Sequence, residues 1–227
     1  MKKQGYRVIV VASQYAMWFA GQILRIRFEV RYNRPEHLFS SDQHCLIVSP
    51  THKTVLDPWL LIIALRFHEF RSFVPIRILA TQTFGPRLKW LQWFMPLIRL
   101  LYRLAGVIEL PAENDDGFPG GKIRGLLAAL DRGEAVVIFP EGGIWRKQLP
   151  PIGDFAPGVT YLQRKSGAAI LPIAVWMSQQ TWPRRRYVAY FGRPVQIPQD
   201  FDLHAGAAWL RERVLELYEH ARKEEER

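Results

Sequence analysis

Ser49-Pro50-Thr51-His52-Lys53-Thr54-Val55-Leu56-Asp57-Pro58 is the stretch around which the rest of the chain reads. The apolar run 45–48 before it has the length of a buried strand, and the apolar run 59–65 after it reads as a helix. A histidine and an aspartate five positions apart therefore fall where a strand ends and a helix begins. Such loops carry the chemistry of α/β proteins, because the scaffold holds them still and leaves them exposed. An imidazole takes up a proton near neutral pH, and a carboxylate within reach fixes its tautomer and stabilises the imidazolium. The competing assignment gives His52 a capping or core hydrogen-bonding role, and the pair alone does not decide between them.

A second block adds weight. Residues 135–143, Ala-Val-Val-Ile-Phe-Pro-Glu-Gly-Gly, read as another buried strand running into a turn. Pro140 stops the strand, Gly142 and Gly143 permit close approach of a ligand to the backbone, and Glu141 leaves one carboxylate at the strand end. Strands alternate with helices from one end of the chain to the other. That pattern makes an α/β domain with a mixed, mostly parallel sheet flanked by helices, any antiparallel pairing falling at its edge.

His52-x-x-x-x-Asp57, then Gly106-Val107-Ile108-Glu109-Leu110, then Phe139-Pro140-Glu141-Gly142, then Leu171-Pro172-Ile173 stand in this order. The set resembles the glycerolipid acyltransferases, typified by 1-acylglycerol-3-phosphate acyltransferase. The resemblance implies the fold of that family and acyl transfer from acyl-CoA or acyl-carrier protein to a hydroxyl, without a further cofactor. It implies His52 as the base, Asp57 as its orienting carboxylate, and Glu141 and Gly142 at the acceptor. Two positions depart from the pattern. Phosphate-accepting members commonly carry an Arg at the end of the second block and another two positions after Phe-Pro-Glu-Gly. Here Leu110 or Pro111 and Ile144 stand in those places. Arg146, Lys147, Lys53 and Lys122 are the candidate replacements for binding a phosphate. Without them the acceptor would be a phosphate-free lipid: a lyso-aminolipid, a glycolipid or a hydroxylated terpenoid.

Composition agrees with these assignments. A chain of 227 residues, 48% of them hydrophobic, builds one sizeable core. The single Cys45 excludes an internal disulfide and lies in a strand-like run, as a small core residue would. A net charge of +10 asks for a negatively charged partner. No nucleic-acid-reading motif accompanies it, so an anionic membrane surface is expected rather than nucleic acid. No Gly-x-Ser-x-Gly elbow, P-loop or dinucleotide fingerprint is present, and the six histidines show no metal-ligand spacing.

Residues 1–32 are expected to form a membrane-associating helical segment ahead of an acyltransferase domain, 33–227. The uncharged span between Arg7 and Arg25 is at the lower limit for crossing a bilayer and carries Ser13, Gln14 and Gln22. A monotopic helix on the cytoplasmic face, anchored by Tyr15, Trp18 and flanking arginines, is the first choice. A single span or a helix packed on the protein's own core are the alternatives. One helix is expected from Pro58 to about Phe70. In 85–105, Trp90, Leu91, Phe94, Leu97, Ile98 and Leu101 share one helical face, and Pro96 should kink or divide it. Arginines and lysines interleave with Trp93 and Tyr102, so this face suits either core or lipid. A non-catalytic lipid-binding protein is the competing class, and an intact His52/Asp57/Glu141 set argues against it.

Overall fold

The computed structural model describes residues 2–33, 45–48, 57–81, 93–110, 119–141, 152–178 and 184–225. The chain begins with α1 (Lys2–Gly21), a 3-10 segment (Gln22–Ile26) and β1 (Phe28–Tyr32). Then come β2 (Cys45–Val48), α2 (Asp57–Ala64), α3 (Phe67–Phe73), β3 (Ile76–Thr81), α4 (Met95–Ala105) and β4 (Val107–Leu110). The second half supplies α5 (Pro119–Asp131), β5 (Ala135–Ile138), α6 (Gly158–Ser166), β6 (Ala169–Met177), β7 (Arg185–Phe191) and α7 (Leu203–Glu225).

The seven strands lie in the order β1-β7-β6-β2-β5-β3-β4. From β6 to β4 all neighbours are parallel, so their C-terminal ends share one edge, called the active edge below. Strand β7 is antiparallel to β6 and β1 parallel to β7, which makes the sheet mixed at one side, as expected. Strand β6 serves two partners with successive halves: Cys45–Val48 pairs with 169–172, and β7 pairs with 173–177. Pro172 sits at the changeover. Its carbonyl accepts the Gly192 N–H at 2.8 Å, so its missing N–H falls on the same side, just past the last β6–β7 pair. The outer halves of β6 and β7, with β1, rise beyond Val48 by five residues, about 16 Å at strand rise.

Apolar faces cover both sides of the sheet. Leu126, Leu162, Ile170, Leu210 and Val214 join β6 to α5, α6 and α7 on one face. On the other, Leu60, Ile63 and Phe70 of α2 and α3 pack on Ile173, Val175 and Tyr187. Helix α2 is apolar nearly all round and correspondingly buried from Leu60 to Ala64. The single helix expected over 58–70 is broken in two after Ala64. Arg66 takes an extended conformation and its N–H is accepted by the Glu69 carboxylate at 2.7 Å, a cap that starts α3.

Helix α1 lies on the protein. Val10 and Gln14 are buried beneath it. The Gln14 amide donates to the carbonyls of Ile76 (2.5 Å) and Ala105 (2.8 Å) and accepts the Ile76 N–H (3.0 Å). Gly106 is required beneath this clasp: its φ is +80°, and a Cβ would lie 2.9 Å from both Gln14 Nε2 and the Ile76 carbonyl. Among the described residues no helix is long and apolar enough to cross a membrane. The single-span alternative for the N-terminal segment is thereby set aside. Tyr15 and Trp18, the expected lipid anchors, are half-buried against α3. Tyr15 packs on Phe67 and Phe70, and Trp18 stacks on Phe70 while donating to the Leu65 carbonyl at 3.3 Å.

Candidate active site

Residue-by-residue register brings two chain exits together. Val48, the last residue of β2, pairs with Ile138, the last residue of β5, so the end of β2 and the Phe139-Pro140-Glu141 exit of β5 lie side by side at the active edge. Neighbouring strands are about 4.8 Å apart. Val48 also pairs with Pro172, which puts the Leu171-Pro172-Ile173 block on the other flank of β2. Val107–Leu110 forms β4, whose neighbour β3 lies beside β5. Among the described residues, the Leu171-Pro172-Ile173 block thus lies beside β2 and Phe139-Pro140-Glu141 stands at the adjacent exit.

Asp57 opens α2 and is 1% exposed. A carboxylate in the first turn faces unpaired backbone N–H groups and the positive end of the helix dipole. Its carbonyl accepts the hydroxyl of Tyr187 on β7 at 3.5 Å, so the helix start stands level with Tyr187, outward from the end of β2. Burial pushes the Tyr187 hydroxyl well above its ordinary pKa of 10, and the Asp57 charge adds to this. The hydroxyl stays protonated at any working pH.

Gly153 lies beside Glu141: a Cβ there would be in van der Waals contact with Oε2, at 3.4 Å. The Ala156 N–H donates to the Pro140 carbonyl at 2.9 Å, binding 152–156 to the end of β5. Arg211 of α7 then holds that segment, donating to the carbonyls of Ile152 and Gly153, each at 3.1 Å. Arg211 and Gly153 carried no sequence signal, since their role depends on α7 folding back over a segment some sixty positions earlier in the chain.

Of the other candidates, His52, Lys53, Gly142, Arg146 and Lys147 lie outside the described residues. Lys122 falls within α5. Among the described residues no group of His, Cys, Asp or Glu side chains is placed to hold a metal ion.

Exposed apolar side chains also reach the active edge. Gln14 fastens the middle of α1 to Ile76, at the opposite edge, and α1 then runs across α2, Gly21 against Ile63, to reach the outer end of β7 opposite Phe28. The 3-10 segment there shows Ile23 and Ile26 67% and 76% exposed. Helix α4 makes the reverse journey. It follows β3, whose C-terminus is at the active edge, and ends at Gly106 beside Ile76. Its beginning, Trp93 (88% exposed), Phe94 and Leu97, therefore points back towards the active edge. Pro96 lies in the first turn of α4 and opens the helix instead of kinking it. Phe94, Leu97 and Leu101 of the expected stripe are exposed, whereas Trp90 and Leu91 lie outside the described residues.

Residues 25–176 match the family described as acyltransferase. Among solved structures, the fold is similar to the crystal structure of the 1-acyl-sn-glycerophosphate acyltransferase PlsC from Thermotoga maritima. The TM-score is 0.60 at 15% identity, covering 97% of this chain and 83% of that one. At that identity the likeness speaks for the fold. The family match takes in more than half of the chain, from the 3-10 segment almost to the end of β6, and with it every block of the active edge. The chain belongs to the acyltransferase family.

Proposed function

We propose that this protein is an O-acyltransferase that moves a fatty acyl group from acyl-CoA or acyl-carrier protein to the free hydroxyl of a lysophospholipid, with 1-acylglycerol-3-phosphate as first-choice acceptor, in phospholipid biosynthesis. The observation that supports the proposal is the pairing of Val48 with Ile138, which sets the end of β2, followed in sequence by His52 and Asp57, beside the end of β5, followed by Glu141. His52 removes the proton of the acceptor hydroxyl while Asp57 orients the ring, and the oxygen attacks the thioester carbonyl. The C–S bond breaks as the tetrahedral intermediate collapses, and the proton passes to the leaving thiolate. General-base assistance of this kind contributes roughly a hundred- to ten-thousand-fold. Glu141 and Gly142 hold the acceptor, and Arg146, Lys147, Lys53 and Lys122 are the candidates for its phosphate.

The protein works at the bilayer surface in this account, on the cytoplasmic face. Ile23, Ile26, Trp93, Phe94 and Leu97 would enter the interface with the active edge turned towards the lipid, a monotopic attachment that needs no spanning helix. The residues ahead of β1 supply part of that attachment; the expected helical segment 1–32 ends earlier than its bounds, since Phe28–Tyr32 form β1 and belong to the sheet of the catalytic domain. A second reading, a phosphate-free lipid acceptor, is favoured by Leu110, Pro111 and Ile144 at the positions where phosphate-accepting relatives carry arginine. Supplying the purified protein with each donor in turn, against lysophosphatidate, a lyso-aminolipid, a glycolipid and a hydroxylated terpenoid, separates the two. Product from lysophosphatidate supports the first reading. Product only from a phosphate-free lipid supports the second, and none from any pair overturns both.

A further inference from the structure

Where the 3-10 segment Gln22–Ile26 meets the outer end of β7, four arginines converge. Phe28 pairs with Arg185, and the Arg185 N–H donates to the Arg27 carbonyl at 3.3 Å. Arg184 donates from Nη1 to the Arg25 carbonyl at 3.3 Å, Arg25 from Nη2 to the Ile63 carbonyl at 2.8 Å, and Arg185 from Nε to the Ser178 carbonyl at 3.0 Å. The acidic groups nearby are already engaged: Glu29 with Arg31 and Arg186, Glu225 with Arg186. Among the described residues, Arg25, Arg184 and Arg185 meet carbonyls and no carboxylate. A guanidinium has five donors, and one carbonyl each leaves others over: Arg184 is exposed, Arg25 and Arg185 are half-buried, and the Arg25 Nε is buried without a hydrogen-bond partner. A local excess of positive charge of this kind favours an anion.

The position narrows the anion. Arg185 is two residues outward from Tyr187, the level of Asp57, or about 7 Å further from the sheet centre at strand rise. Exposed Ile23 and Ile26 alternate with Arg25 and Arg27 along the same segment. Apolar side chains for the acyl region interleaved with cations for the phosphate layer make an interfacial lipid contact. A dissolved anion would have no use for the isoleucines.

We propose that Arg25, Arg27, Arg184 and Arg185 form a docking site for the headgroup phosphate of an anionic bilayer phospholipid, with Ile23 and Ile26 inserted beside it. The proposal rests on the membrane-surface reading above and adds to it a determinant on β7, outside both α1 and α4.

The test measures binding of the full-length protein to vesicles of phosphatidylcholine mixed with phosphatidylglycerol, and of phosphatidylcholine alone. Neither contains an acyl acceptor and no turnover is read, so the result is independent of whether the protein transfers acyl groups. Arg184→Gln with Arg185→Gln should lower partition onto the mixed vesicles roughly tenfold or more, each cation near an anionic surface being worth about a factor of five. A charge-matched control, Lys165→Gln with Arg193→Gln at the opposite edge, should leave it close to wild type. Melting temperature accompanies each variant. If the double substitution unfolds, Arg184→Gln alone serves, since that side chain is exposed and makes one long bond to a carbonyl. An equal fall in the control, an undiminished partition in the site variant, or lost affinity for acyl-carrier protein with vesicle binding intact would each overturn the proposal.

Discussion

Replacing Arg211 with Met tests whether Glu141 is positioned from behind. The substitution keeps the aliphatic stem and removes both hydrogen bonds to the Ile152 and Gly153 carbonyls. Hydrogen bonds to a charged group contribute about 1.5–3 kcal/mol each, towards the lower end where water can replace the donor. Arg211 is only 19% exposed, so replacement by water is restricted. Its pairs with Asp154 and Glu212 lie at the surface and add little. A stability loss of at least about 3 kcal/mol follows. With Arg211 no longer holding 152–153, the segment beside Glu141 is free to shift, and misplacement by about 1 Å is enough to cost a hundredfold in a positioned reaction. Steady-state kinetics with varied acceptor at saturating donor should show the acceptor KM raised roughly ten- to a hundredfold while the donor KM stays put. Arg211→Lys should recover part of the loss, because one ammonium reaches one carbonyl and not both. An unchanged acceptor KM in a folded Arg211→Met protein, or donor and acceptor constants moving together, would refute the positioning argument.

Three further expectations come from the same geometry. At the edge opposite the site, buried Glu134 accepts from Arg77 at 2.6 Å and Arg132 at 3.0 Å. Burial raises its pKa, but those two hydrogen bonds and the charges behind them leave it below the ordinary 4.5. Its stabilising contribution is therefore complete above about pH 4.5 and lost as pH falls through the lowered value. Glu134→Gln should cost about 3–5 kcal/mol at neutral pH, because Arg77 stays buried without its partner, and should flatten the acid limb of melting temperature against pH; an acid limb as steep as wild type contradicts this. Tyr187→Phe should lower turnover modestly and leave the alkaline limb of the pH–rate profile in place, since that hydroxyl does not titrate there; a displaced limb would show that it does. Trp93→Ser with Phe94→Ser should leave melting within about 0.5 kcal/mol of wild type and remove much of the salt-resistant vesicle binding. Binding that survives intact at high salt would move the membrane contact elsewhere.

Much of this architecture was legible in the chain. Runs such as 135–138 and 169–175 are too short for buried helices and too apolar for anything but a covered parallel sheet, and Gly133 and Gly167 mark helix ends by their need for positive φ. What escaped is non-local. Strand β1 alternates Phe28, Val30 and Tyr32 with Glu29 and Arg31, a period-two signal hidden beside the basic end of α1, and it becomes a strand only because β7 pairs with it. Leu97 and Leu101 have the spacing of a core stripe yet face outward, since periodicity reports a shared face and not what covers it. Tyr15 and Trp18 read as lipid anchors by composition, and their packing against Phe67 and Phe70 of α3 is a tertiary contact that composition does not record. At the site, the acidic residues could be picked out by their places at strand ends. Tyr187, Gly153 and Arg211 act through tertiary contacts that no local pattern records.

The central claim is that His52 is the base of an acyl transfer to a lipid hydroxyl. Following the acylated product by mass with lysophosphatidate and acyl-CoA or acyl-carrier protein, for wild type and His52→Ala side by side, addresses it most directly. The account predicts product from the wild type and a rate at least about a hundredfold lower in His52→Ala, at an unchanged melting temperature. Wild-type turnover in a well-folded His52→Ala protein would contradict it.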